Sequence, residues 1–188
     1  MDLFTHSGLS INSSFQRSTR IDNEISKAFL DHFIFHDTSR KVLDQIANSV
    51  RNSNQSAFTL TGPYGTGKSS LALFLKALIS NNSKIKAQAE KISNYNSKHS
   101  FSKVFLKDKW FVLNLVGSKD DPIKSIAEII DETVKKAWIT KGIPQKLKSK
   151  TKNTVKSVVN SLLNLAEELE KKDHGLILMI AILSLIHI

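Results

Sequence analysis

Apolar residues return at helical intervals along most of this chain and run without interruption in two short stretches, and that contrast predicts its elements. Over residues 22–35, Ile25, Phe29, Leu30 and Phe33 predict a short amphipathic helix. Asp37 or Thr38 can cap a second helix, in which Val42, Leu43, Ile46, Ala47 and Val50 form one stripe. Residues 51–56 are a polar break. Residues 57–61 (AFTLT) then read as a short strand, followed by a glycine loop and a helix over 70–80 with Leu71, Leu75, Leu78 and Ile79 on one face. Residues 81–109, rich in Ser, Asn and Lys, read as a long loop with a helical piece around 85–92.

The first continuous apolar run, 110–116 (WFVLNLV), suits a strand buried on both faces. Asp121 caps the next helix with Pro122 in its first turn, and Ile126, Ile129, Ile130, Val134 and Ala137 carry it to about residue 140. A basic hinge over 141–152 contains Gly142 and Pro144. The last helix, about 154–172, is amphipathic through Val155, Val158, Val159, Leu162, Leu165, Ala166 and Leu169; Gly175 ends it and opens the second apolar run, 175–188. That run is shorter than the roughly 20 residues a membrane-spanning helix needs, so it reads as a strand. Strands alternating with helices predict an α/β fold with a mostly parallel sheet. Residues 1–19 are polar, Ser-rich and aperiodic and read as a loose arm.

Composition narrows the chemistry. The 188 residues hold no cysteine, which excludes disulfides, thiolate metal sites and thiol nucleophiles. The opening residues lack an apolar segment behind a basic start, so a cytoplasmic protein is expected. The formal charge is +10, and residues 135–156 alone carry eight lysines and no acid. Such a cluster can neutralise phosphates, which makes DNA contact a candidate. Against it, no Arg follows Arg51, although base readout favours Arg, and a solvated lysine surface needs no partner. His32 and His36 stand at i and i+4 but lack a third ligand, and fit a helix face better than a metal site.

The strongest signal is Gly62-Pro63-Tyr64-Gly65-Thr66-Gly67-Lys68-Ser69, which matches the phosphate-binding pattern G-x-x-x-x-G-K-[ST]. A polyphosphate needs several backbone N–H groups at close range, and glycines permit the required turns. The helix that follows adds its dipole and free N–H groups. Lys68 is then the candidate for the β- and γ-phosphates, the Ser69 hydroxyl for Mg²⁺, and Ser70 for the α-phosphate.

The run FTLTGPYGTGKSSLALFLKAL resembles the opening of P-loop ATPases of the AAA+ and STAND kind, particularly large bacterial ATP-binding proteins of defence and restriction systems. The resemblance implies a three-layer α/β/α P-loop NTPase core over residues 57–182, ATP and Mg²⁺ as ligands, N-terminal helices within residues 1–56, and homo-oligomers of the intact protein. It also implies an Asp-Glu pair closing a later apolar strand. Residues 175–180 supply the apolar run, but Ala181 and Ile182 occupy the positions of the two carboxylates. Without them the chain lacks the groups that hold the metal and orient the attacking water.

Residues 183–188, LSLIHI, spell what the transposase mosaic-end adapter of sequencing libraries encodes in frame, so this tail is expected to be non-native. In such families a strand later in sequence separates the strand before the glycine loop from the strand that the Asp-Glu pair closes. The sheet is therefore expected to be incomplete, with apolar unpaired edges, and the fragment to be poorly soluble and weak in nucleotide binding. Two functions remain open: nucleotide binding as the N-terminal part of a larger ATPase, and a non-catalytic module gated by nucleotide occupancy. Nucleotide kinases would need an Arg-rich lid, and GTPases an N-K-x-D segment; neither is present.

Overall fold

The computed structural model describes residues 19–53, 55–63, 65–117, 121–139 and 142–181. Seven helices and two strands are formed there, in an α/β arrangement. Helix α1 (Lys27–His32) is capped by Ser26, whose hydroxyl accepts from the N–H of Phe29 at 3.1 Å. Helix α2 (Asp37–Ser53) begins at Asp37 itself and takes three residues from the expected polar break. Helix α3 (Lys68–Leu78) follows the glycine loop.

The stretch expected to be mostly loop holds two helices, α4 (Ser83–Ser93) and α5 (Ser100–Val104). Asn82 caps α4 and the His99 ring caps α5. Tyr95, Phe101 and Phe105 then stack in sequence, so tertiary packing organises a segment whose composition reads as polar. These five helices share one core, centred on Leu30, Leu43, Phe74, Ala77, Tyr95 and Phe101.

A second core is built on the sheet. Strand β1 (Lys109–Val116) and strand β2 (His174–Ala181) pair in parallel, with Trp110 opposite Gly175, Leu113 opposite Leu178 and Val116 opposite Ala181. Parallel neighbours need a crossover, here supplied by helix α6 (Pro122–Ala137), a 3₁₀ turn (Gln145–Leu147) and helix α7 (Val155–Glu170). Asp121 caps α6 as expected, accepting from the Ile123 N–H at 2.9 Å, and Thr154 caps α7. Helix α6 packs on β1 and α7 on β2. Leu113, Ile130, Val134, Leu165 and Leu169 fill the space between.

Residues 57–61 differ from the expected strand. They enter no ladder among the described residues and stay exposed, with Phe58 and Leu60 at 38% and 39%. Apolar β-prone composition makes a strand available, but a strand forms only where another offers its backbone, and neither β1 nor β2 does so here. Among the described residues the sheet accordingly has two strands, and residues 175–181 of β2 are apolar. Residues 182–188, including Ile182 and the tail, lie outside the described residues. No helix among the described residues is long and apolar enough to cross a membrane.

Candidate phosphate-binding site

The loop after residue 61 is shaped by glycine. Gly65 and Gly67 take φ of 80° and 78°, left-handed values that side-chain-bearing residues rarely adopt, and open space surrounds both α-carbons. Backbone conformation, and not crowding, is what requires glycine at these two positions. Gly67 stands at the N-cap of α3 and offers no side chain to the first turn, where the N–H groups have no partners within the helix. Its carbonyl accepts from Leu71 at 2.8 Å, so the helix is regular from its first turn.

Lys68 folds back over this loop. Its ammonium donates to the carbonyls of Gly62 and Pro63 at 2.8 and 2.6 Å and reaches the Thr66 hydroxyl at 3.4 Å. Thr66 itself donates to the Pro63 carbonyl at 2.9 Å. The structure therefore brings Gly62, Pro63, Thr66 and Lys68 together around one cation at the start of a helix. Tyr64 lies outside the described residues.

Ser69 and Ser70 follow in the first turn of α3, both half-buried. Ser70 donates to the hydroxyl of Thr19 at 3.3 Å. The segment behind Thr19 is fastened along the same helix. Ile21 is buried, and the Lys76 ammonium donates to the Asn23 and Ile21 carbonyls at 3.0 and 3.5 Å. Burial holds the Lys76 ammonium below its ordinary value, with Asp22 and Glu24 opposing that shift. Arg20 grips Asp22 through two hydrogen bonds, at 3.0 and 2.8 Å, and thereby lowers the Asp22 carboxyl. Nothing in the residue pattern of 19–23 announced this attachment, because it rests on the Thr19 hydroxyl and the main-chain carbonyls of Ile21 and Asn23.

The donor set suits a polyphosphate: a cation, uncapped helix N–H groups and two left-handed glycines. Lys68, the N–H groups from Gly65 to Ser70, and the Ser70 hydroxyl are the groups that can hold phosphate oxygens. The Ser69 hydroxyl can ligate Mg²⁺, which when bound neutralises phosphate charge. No group of three His, Asp or Glu among the described residues can hold a metal unaided. His32 instead places its Nδ1 at 2.8 Å from the Ala28 carbonyl on its own helix. The last described pair of the ladder is Val116 with Ala181, which carries a methyl group where a carboxylate was expected.

The lysine-rich segment wraps from α6 to α7. Lys136 and Lys146 pair with Glu132 and Glu167 at 3.9 and 3.0 Å, while Lys148, Lys150, Lys152 and Lys156 are exposed. Compared with known protein-family models, with curated proteins and with solved structures, the chain matches none.

Proposed function

We propose that this chain binds ATP with Mg²⁺ through residues 62–70, as the nucleotide-binding part of a P-loop ATPase of the AAA+ or STAND kind. The observation that carries the proposal is the Lys68 ammonium held inside a loop whose Gly65 and Gly67 adopt left-handed conformations at the uncapped start of α3. Phosphate oxygens are stronger partners for an ammonium than peptide carbonyls, since both charges then contribute. Binding thus exchanges the Gly62 and Pro63 carbonyls for the β- and γ-phosphates, and Lys68 straightens toward the ligand. A cytoplasmic site of action belongs to the same reading.

Ala181 favours a second reading, a module in which occupancy alone is the signal. The Ser70–Thr19 bond supports it: a phosphate that recruits the Ser70 hydroxyl takes it from the segment leading into α1. No hydrolytic step is assigned to residues of this chain.

Amide hydrogen exchange tests the proposal. Saturating Mg-ATP is expected to slow exchange over residues 65–70 in the wild-type chain and not in Lys68→Ala. Equal exchange with and without nucleotide contradicts it.

A further inference from the structure

Residues 133–166 contain eight lysines and no Asp or Glu, and the connection from α6 to α7 within them is pinned from inside. Leu147 and Thr151 are buried. The Thr151 N–H donates to Asp131 of α6 at 3.1 Å, and its hydroxyl bonds that of Ser161 on α7 at 3.1 Å. The Lys152 N–H donates to the Ser157 hydroxyl at 3.0 Å, the Thr154 N–H to the Lys152 carbonyl at 2.8 Å, and Thr154 caps α7. A backbone held in this way keeps Lys148, Lys150 and Lys152 outside and Thr151 inside, with Lys156 next to them in the first turn of α7.

The charge of these four lysines is not neutralised by the chain. All four are exposed, and none forms an ion pair among the described residues. The acids that touch the connection are engaged elsewhere, Asp131 by the Thr151 N–H and Glu167 by the Lys146 ammonium at 3.0 Å. The start of α7 adds the positive end of its dipole to the same place. Clustered ammonium groups repel one another, and a polyanion relieves that repulsion.

Residue types select the polyanion. Arg, the residue that best reads base edges, is absent after Arg51, and residues 145–154 hold no aromatic ring on which an unstacked base could lie. Their only bulky apolar side chain, Leu147, is buried, and α7, which carries the exposed apolar residues that follow, ends in Glu167, Glu168 and Glu170; a bilayer is poorly matched by either. Exposed Ser149 and Asn153 stand among the lysines as further donors to phosphate oxygens. A duplex presents phosphates most densely, one per roughly 1.7 Å of its axis. We infer that this connection binds the phosphate backbone of double-stranded nucleic acid without reading its sequence. The absence of Arg thus removes base readout and leaves phosphate contact intact. The inference is independent of nucleotide binding at residues 62–70.

Fluorescence anisotropy of a labelled DNA duplex of about 20 base pairs, titrated with the full chain, tests it. Four phosphate contacts give an affinity that falls roughly a hundredfold between about 50 and about 200 mM salt. Duplexes of different sequence are expected to bind equally, and a single strand more weakly. The quadruple variant Lys148→Gln, Lys150→Gln, Lys152→Gln, Lys156→Gln weakens binding at least about tenfold and flattens its salt dependence. A control variant loses the same charge at four other exposed lysines, around α4 and α5: Lys84→Gln, Lys91→Gln, Lys98→Gln, Lys103→Gln. It is expected to change the affinity less than about threefold. Circular dichroism verifies that both variants keep their helices. Absence of binding at about 50 mM salt, equal losses in the two variants, or tighter binding to a single strand or to phosphatidylserine vesicles than to the duplex would each overturn the inference.

Discussion

The six-membered ring of Trp110 lies against the α-carbon of Gly175, its register partner across the β1–β2 ladder, so closely that a methyl group on Gly175 would overlap it. The glycine that ends the helical pattern of α7 is thus also the floor on which an indole rests. Above the ring, Phe105 packs at 5.6 Å between centroids, and the indole N–H donates to the Phe105 carbonyl at 3.0 Å. Trp110 joins the helical core to the sheet core through these contacts. Gly175→Ala is expected to cost about 1–3 kcal/mol, as overpacking does. Urea unfolding measures it, and the cost shrinks in a Trp110→Leu background, where the two substitutions are coupled.

Asn81 closes the start of the other edge. Its side-chain amide donates to the Trp110 carbonyl and accepts from the Trp110 N–H, both at 2.9 Å, as a neighbouring strand would. Asn81→Ala leaves both backbone groups without these partners and is expected to destabilise by about 1–2 kcal/mol. The Trp110 amide should exchange faster in the variant. Asn81→Asp keeps the acceptor, loses the donor and should fall between.

Tyr95 donates its hydroxyl to Asp44 at 2.7 Å in the helical core. Burial, and then this hydrogen bond to a carboxylate, raise the phenol well above its ordinary value of 10.0. The unfolded chain gives up this proton near pH 10 while the folded chain retains it, so the contribution is complete below pH 10 and declines as pH rises beyond. Tyr95→Phe is expected to cost about 1–2 kcal/mol at neutral pH. The gap between wild type and variant should narrow in unfolding measurements taken above pH 10.

Local chemistry was readable from the residues where it acts within a few positions. Asp121 before Pro122 announced the cap of α6, and the uninterrupted run around Leu113 announced a strand, although only Leu113 and Leu115, on one face of β1, are fully buried. The glycine loop was legible for the same reason, since Gly65 and Gly67 need their conformations whatever surrounds them. Pairing was not legible. Phe58 and Leu60 have the composition of strand residues, yet no strand among the described residues pairs with their segment. Helix α5 was equally hidden, because His99 caps it and the rings of Tyr95 and Phe101 hold it, contacts that follow from the fold and not from periodicity. The attachment of Thr19 to Ser70 spans 51 positions and has no sequence signature.

The central claim, that residues 62–70 bind nucleotide, is tested most directly by calorimetric titration of the chain with Mg-ATP, alongside Lys68→Ala. Lys68 is bonded to the exposed loop carbonyls of Gly62 and Pro63, so its loss is expected to leave the thermal transition nearly unchanged. The account predicts saturable one-to-one binding by the wild type, weakened by at least about 2 kcal/mol, or some thirtyfold, in Lys68→Ala. A wild-type chain with a cooperative thermal transition that releases no heat of binding, or a Lys68→Ala variant that binds as tightly as wild type, would contradict it.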